Sequence, residues 1–155
     1  MKTYRVAAAI IRNNGKILIA QRLKGAHMGL KWEFPGGKIE TGEDAAGCLK
    51  REIKEELDLE IEVNGELTVV EHQYENKKIF LYCHWCRCLS GEAKPKECQD
   101  FKWANLEDLD NYDFADADRP VVRLLLKTFI RPQPGAFYKT PMRWCGASKE
   151  LNLKL

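Results

Sequence analysis

Residues 34–59, FPGGKIETGEDAAGCLKREIKEELDL, decide the fold of this chain. Two adjacent glycines, Gly36 and Gly37, open the stretch and predict a turn where a ligand can approach the backbone closely. Downstream, apolar residues recur at intervals of three and four, which predicts one buried stripe on an amphipathic helix. The members of that stripe are Ala46, Leu49, Ile53 and Leu57. Thr41 and Asp44 have capping-box spacing, so we expect the helix to begin near residue 42 or 43.

Three glutamates of this helix are predicted to lie close together on one face. At about 100° per residue, Glu52, Glu55 and Glu56 fall within about 100° of one another, beside the apolar stripe. Such close carboxylates repel one another unless a cation lies among them. Oxygen-only ligands suit Mg²⁺, with Mn²⁺ as a substitute, and not zinc. A solvated acidic face paired with Arg51 and Lys54 is the alternative, and the coincidence with the glycine pair disfavours it.

Composition and charge restrict the function classes. The 155 residues suit one domain, and 45% hydrophobic with 31% charged residues predicts a folded protein. A net charge of only +2 argues against a duplex nucleic-acid binder, which needs a basic stripe.

The apolar runs of the sequence predict neither a membrane span nor a signal peptide. No apolar run approaches the roughly 18 residues that a membrane span requires. The apolar N-terminal run is followed by Arg12 without a small-residue cleavage site, which favours a first strand over a signal peptide. We therefore expect a cytoplasmic protein whose six cysteines are reduced thiols and which binds no membrane. The run Cys83–Cys88 lacks a second pair at zinc-finger spacing, so we interpret its thiols as core or half-buried residues.

The remaining chain predicts a mixed α/β pattern. Asn13-Asn14-Gly15 indicates a hairpin turn. We expect strands over residues 3–11, 16–21, 32–34, 59–63, 67–74, 78–89 and 101–104, a helical turn over 106–109, and a second helix over 117–130. These elements form one domain over residues 1–130. Residues 131–155 have no clear period, and we interpret them as a tail that packs on the domain or is partly mobile.

The central stretch resembles a known motif. Gly37, Glu43, the run Arg51-Glu52-Ile53-Lys54-Glu55-Glu56, and Leu59 have the identities and spacing of the Nudix box. One position departs, because the family usually has Gly where this chain has Asp58. Glycine there serves the helix end in a left-handed conformation, which Asp tolerates better than most residues.

The resemblance extends over about residues 3–130 and is to the MutT and CTP pyrophosphohydrolase branch. The residues that carry it outside the box are Gln21-Arg22, Trp32-Glu33-Phe34-Pro35-Gly36-Gly37-Lys38, Glu97 and Ala117-Asp118-Arg119-Pro120. It implies an α/β/α sandwich around a mixed β-sheet. It also implies a reaction in which a nucleoside triphosphate and water give the monophosphate and pyrophosphate.

Site roles follow from the same resemblance. The implied metal ligands are the Gly37 carbonyl, Glu52, Glu55, Glu56 and Glu97. Arg51 matches a buried arginine that orients the carboxylates, Glu43 supports the turn, and Arg22 and Lys38 match phosphate-holding groups. The general base varies within the family, and we favour Glu52 over Glu97.

The same resemblance implies that Asp118, just before the second helix, reads the base. An ionised aspartate only accepts hydrogen bonds, which suits the cytosine amine or a purine amine, whereas a protonated one also donates. The alternative is a residue favoured there by the helix dipole. Phe34, with Tyr74 or Phe80, is a candidate pocket wall. We expect cytosine nucleotides or oxidised and modified ones as substrates.

Other functions stay open. Another Nudix substrate, such as ADP-ribose or a capped RNA, is the alternative within enzymes. A non-catalytic nucleotide-binding module is the alternative of another class, although such modules usually lose the box carboxylates that this chain keeps. The sequence is compatible with a monomer or a homodimer.

Overall fold

The computed structural model describes residues 1–130, so the predicted tail 131–155 lies outside the described residues. The strands are β1 Lys2–Asn13, β2 Lys16–Gln21, β3 Trp32–Glu33, β4 Gly36–Lys38, β5 Glu60–Gln73, β6 Lys77–Ser90 and β7 Asp100–Asn105. The helices are α1 Ala45–Leu57, a 3₁₀-helix Leu106–Asn111, α2 Arg119–Leu125 and a π-helical turn Leu126–Ile130. Within this part of the chain, no helix is long and apolar enough to cross a membrane.

The seven strands form one mixed sheet. Its central path is β3-β2-β1-β6-β5, with β4 paired to β1 and β7 paired to β2. Only β1 and β6 pair in parallel among these strands, with Val6 opposite Leu81, and the other pairs are antiparallel. The hairpin turn is confirmed, since Asn14 and Gly15 have φ of 51° and 78°.

A hydrophobic core covers each face of the sheet because side chains alternate along β1. Ala8 and Ile10 pack in the cluster that contains Val121 and Leu125 of α2. Ala7, Ala9 and Ile11 pack on the other face. There the buried α1 side chains are Cys48, Leu49, Ile53 and Leu57. The predicted α/β/α sandwich is confirmed, although Ala46 is only half-buried and Cys48 takes a core position instead.

Both ends of α1 are fixed by aspartates. The helix begins at Ala45, and the side chain of Asp44, not Thr41, caps it by accepting the Gly47 amide at 2.7 Å. The predicted start near residue 42 or 43 is therefore two or three residues too early. At the other end Asp58 has φ of 57°, which confirms that Asp takes the left-handed conformation there.

Three other predicted elements differ from the structure. The expected strands 59–63 and 67–74 form one strand, β5, because Asn64-Gly65 produces a register irregularity and not a turn. The expected helix 117–130 is regular only over Arg119–Leu125 and continues as a π-helical turn. The predicted turn at Gly36-Gly37 is a short strand that pairs with β1.

Gly36 is required by close packing and not by a positive φ. A Cβ atom at this residue would lie 1.9 Å from the Ala7 carbonyl oxygen, which belongs to the central strand. Since neither strand can withdraw without breaking the sheet, only glycine fits.

We predict that Gly36→Ala lowers the free energy of unfolding by about 3 kcal/mol or more, because the methyl group overlaps backbone atoms. Gly65→Ala is the matched control, since a Cβ there meets nothing within 4 Å. Its stability should stay within about 0.5 kcal/mol of the wild type in urea denaturation. A Gly36→Ala protein as stable as the control would contradict this packing account.

Candidate active site

The short strand β4 lies directly over the carboxylate of Glu52. A Cβ on Gly37 would come within 2.3 Å of the Glu52 carboxyl carbon, so glycine permits this approach. Cys48 approaches the same backbone from α1, with its Sγ 3.4 Å from the Gly37 carbonyl oxygen. The fold therefore brings the predicted backbone ligand and the first predicted carboxylate together.

Arg51 links the loop before α1 to the carboxylates on the helix. Its Nε and one terminal nitrogen donate to the two oxygens of Glu43 at 2.9 and 2.8 Å. Its other terminal nitrogen donates to Glu52 at 2.8 Å and lies 3.5 Å from Glu55. Hydrogen bonds from Arg51 lower the pKa of Glu43 to about 2. The side chain of Arg51 is 27% exposed, so the buried arginine implied by the resemblance is only partly buried here.

Glu56 is the most strongly perturbed carboxyl group on this helix. Burial, and then the nearby charges of Glu33, Glu52 and Glu97, raise its pKa to about 9. Its Oε2 is buried and has no hydrogen-bond partner. Burial raises the pKa of Glu52 as well. A buried oxygen without a partner and surrounded by like charge is a position that a cation would stabilise.

The loop that carries Glu97 is fastened to the C-terminal end of α1. The backbone amide of Lys94 donates to the Leu57 carbonyl, and that of Lys96 donates to the Glu56 carbonyl, both at 2.9 Å. Glu97 itself is exposed, yet its charge contributes to the raised pKa values of Glu52 and Glu56. This distant residue is thus held beside the helix carboxylates by backbone hydrogen bonds.

A cavity of about 210 Å³ is lined both by Glu56, one of the predicted metal ligands, and by the predicted base-recognition residue. Four of the predicted substrate residues line it, together with Gly37, Glu56 and Tyr74. Those four are Arg22, Phe34, Lys38 and Asp118. Phe80 takes the opposite face of β6 from Ile79 and Leu81, so Tyr74 is the pocket-wall residue of the two alternatives.

Asp118 is buried and fixed at the end of this cavity. Its Oδ1 accepts the backbone N–H of Phe34 at 3.0 Å, although 84 residues separate them in sequence. It holds the N-cap position of α2 without a capping hydrogen bond from its side chain. Its side chain therefore bonds to the segment between β3 and β4 and not to the backbone amides of α2. Burial, and then the charge of Glu33, raise its pKa well above the usual value.

Glu33 is a site residue that the sequence reasoning did not assign. It lines the cavity, pairs with Arg22 at 2.7 Å, and its charge acts on Glu56 and Asp118. Burial raises the pKa of Glu33 itself. A single carboxylate inside the apolar run Trp32-Glu33-Phe34-Pro35 was the signal that could have found it.

The thiols of β6 belong to the cores, as predicted. Cys83 lies in the core under α2, and Cys86 lies in the core under α1, on opposite faces of the strand. Burial raises the pKa of Cys86 to about 12. Protonated, buried thiols on different faces cannot share one metal ion.

The chemistry of the carboxylate cluster fits a hard divalent cation. Its donors are all oxygens, and one of them, Oε2 of Glu56, is buried without a partner. Among residues 1–130, no three carboxylate, imidazole or thiol groups are gathered into a preformed metal centre. Glu52 is instead engaged by Arg51.

Comparisons with known proteins agree with this geometry. A sequence model of the NUDIX domain family matches residues 6–124. The chain belongs to this family. It is therefore a member of a hydrolase family, and the resemblance of residues 34–59 to the Nudix box is confirmed.

Two relatives come from Escherichia coli strain K12. The 8-oxo-dGTP diphosphatase is 36% identical over 126 residues, which cover 81% of this chain and 98% of that protein. The CTP pyrophosphohydrolase is 33% identical, over 81% of this chain and 93% of that protein. The solution structure of the E. coli ORF135 protein has a TM-score of 0.72 and 32% identity, covering 85% of this chain and 95% of that one. The MutT and CTP pyrophosphohydrolase branch is thereby confirmed as the group this NUDIX chain resembles.

The raised pKa of Glu56 predicts a stability change with pH. Between its usual value and about 9, the folded NUDIX domain binds a proton that the unfolded chain releases. Stability in the presence of chelator therefore falls as pH rises through this window. We predict that Glu56→Gln melts at a higher temperature than the wild type at about pH 8, and that the difference shrinks toward about pH 5.

Glu92→Gln, at an exposed loop position, is the control and should melt like the wild type throughout. The measurement is the melting temperature of the wild type and the two variants in chelator at each pH. A Glu56→Gln protein that is less stable than wild type at about pH 8 would mean that the buried carboxylate is not a destabilising group.

Proposed function

We propose that this NUDIX protein is a pyrophosphohydrolase that converts nucleoside or deoxynucleoside triphosphates into the monophosphate and pyrophosphate with Mg²⁺. Mn²⁺ is expected to substitute. The observation that carries the proposal is the continuous cavity from Glu56 to Asp118, which joins a carboxylate cluster to a buried base-recognition candidate. The names of the two E. coli relatives supply the substrate class, 8-oxo-dGTP and CTP.

The carboxylates and Gly37 supply the groups that would hold the cation. They are the Gly37 carbonyl, Glu52, Glu55, Glu56 and Glu97. When bound, such a cation neutralises phosphate charge and makes water a better nucleophile near neutral pH. Arg51 fixes the orientation of Glu52, and Glu52, whose pKa is raised by burial, is our candidate to take the proton from the attacking water.

Arg22 and Lys38 are assigned to the phosphate groups, because both line the cavity that Gly37 and Glu56 also line. Arg22 is held in place by Glu33 at 2.7 Å and by the His27 carbonyl at 2.6 Å. Pre-orientation of a guanidinium reduces the entropy lost when it binds an anion.

Asp118 and Phe34 are assigned to the base. With one carboxyl oxygen accepting from Phe34 and its pKa raised, Asp118 can present a proton as well as a lone pair. That combination matches the amine and ring nitrogen of cytosine better than an ionised carboxylate does. We therefore propose cytosine nucleotides, including modified ones, as preferred substrates, with 8-oxo-dGTP as the second candidate.

The location is proposed on the state of the thiols. The five described cysteines are free, which suits a reducing compartment such as the cytoplasm.

ADP-ribose or capped RNA, the alternative substrates, would need a site for a second group beyond the phosphates. A purely nucleotide-binding module is disfavoured because all the box carboxylates are present.

We predict that Glu52→Gln lowers kcat by about 10²- to 10⁴-fold, because the group that takes the proton is lost. Glu107→Gln, at an exposed position on the 3₁₀-helix, should keep wild-type turnover. Pyrophosphate release from CTP measures both, and circular dichroism checks folding. Near-normal turnover by folded Glu52→Gln would remove it from the role, and Glu97 would be the next candidate.

Base preference is tested at Asp118. We predict that the wild type has the highest kcat/KM for the cytosine group when CTP, dCTP, 5-methyl-dCTP and 8-oxo-dGTP are compared. Asp118→Asn should lower the ratio of kcat/KM for CTP to that for 8-oxo-dGTP by about 10-fold, since an amide whose oxygen accepts from Phe34 presents at its other position an NH₂ group that only donates.

Asp116→Asn changes a neighbouring carboxylate that is only half-buried, and it should leave this ratio unchanged. An unaltered ratio in Asp118→Asn would show that Asp118 does not read the base. A wild type without preference for the cytosine group would overturn the proposed base, though not the reaction.

A further inference from the structure

Lys77 begins β6 at an inward-facing position. Alternation along a strand puts every second side chain on the same face. The residues that share the face of Lys77 line the cavity or lie in the core under α2: they are Ile79, Leu81, Cys83 and Trp85. Lys77 is thus a charged residue beside these apolar side chains on the same face of β6. It lines the cavity and is half-buried.

Other cations of the cavity surround Lys77. Burial lowers its pKa, and the charges of Arg22 and Lys38 lower it further. Burial, followed by the charges of Lys77 and Arg22, lowers the pKa of His27 in the same cavity. The Lys77 Nζ lies 5.5 Å from the centre of the Tyr74 ring, and the Lys38 Nζ lies 4.3 Å from that of Tyr4. The cationic side chains of Arg22, Lys38 and Lys77 therefore repel one another in this cavity.

The described part of the chain leaves two of these cations without a carboxylate partner. Arg22 pairs with Glu33, whereas neither Lys38 nor Lys77 forms an ion pair with any residue of 1–130. The next residue, Lys78, lies on the opposite face and pairs with Glu71 at 2.5 Å. Like charges that line a cavity without counter-ions are stabilised by an anion bound in it.

We propose that Lys77 is a substrate-binding residue that acts with Arg22 and Lys38 to hold the phosphate chain of the nucleotide. The inference rests on the proposed function for the identity of the nucleotide, and it adds a cation that neither the sequence motif nor its resemblance assigned. Phosphate is the anion that the proposed substrate brings to a cavity whose other end is occupied by Asp118 and Phe34. Lys77 would enter this interaction as a point charge with three donors.

The test compares Lys77→Gln with Lys78→Gln, which removes the adjacent charge on the opposite face. Calorimetry measures the binding of two probes, CTP and inorganic tripolyphosphate, which has no base. Lys77→Gln should weaken both by about 10- to 100-fold, the value of one charge-assisted hydrogen bond, and make the salt dependence shallower. Lys78→Gln should stay within about twofold of the wild type, and Lys77→Arg should restore most of the affinity.

Three outcomes would overturn the proposal. They are wild-type affinity in folded Lys77→Gln, a loss confined to CTP, and no binding of tripolyphosphate to the wild type. A loss for CTP alone would assign Lys77 to the base and not to the phosphates. Failure of the proposed function is distinguishable, because it would show as absent hydrolysis of CTP and 8-oxo-dGTP by a wild type that still binds tripolyphosphate through Lys77.

Discussion

The crowding of carboxylates around Glu56 is the constraint on which the structure of this site depends. Burial, and then the charges of Glu33, Glu52 and Glu97, raise the pKa of Glu56 to about 9. Arg51 offsets part of this repulsion through its hydrogen bonds to Glu43 and Glu52. Glu56 receives no such partner at its Oε2, which is therefore a position that a cation would stabilise. The fold accepts a locally unfavourable arrangement, as is common where side chains serve chemistry.

The surrounding fold keeps these carboxylates close despite their repulsion. The apolar stripe of α1 is buried against β1, while the close contact between Gly36 and Ala7 fixes β4 above the helix. Backbone hydrogen bonds from the loop at residues 94–97 hold Glu97 at the C-terminal end of α1. On the other face, the hydrogen bond between Asp118 and Phe34 sets the distance from the base end of the cavity to the carboxylate end. Rigid packing on both faces of the sheet thus positions two kinds of binding group along one cavity.

Local sequence signals predicted most of the fold and the carboxylate part of the site. The period of α1, the Asn14-Gly15 turn and the spacing of Glu52, Glu55 and Glu56 act over short distances and can be recognised in the sequence. The start of α1 was misplaced because Thr41 and Asp44 are both residues that can cap a helix. In the structure Asp44, and not Thr41, is the N-cap residue. The positions of Glu33 and Lys77 in the cavity were not predicted, because they depend on which strands pair and in what register. The hydrogen bond from the Phe34 amide to Asp118, 84 residues away, was not predicted for the same reason.

We infer that Glu56 stays protonated until a divalent cation binds in the cluster. Titration of the protein with Mg²⁺ by calorimetry, near neutral pH and in two buffers of different ionisation enthalpy, tests this inference most directly. We predict binding heats that differ between the buffers, because the cation displaces a proton from the carboxylate cluster. Binding heats that are the same in both buffers, or no binding at all, would contradict it.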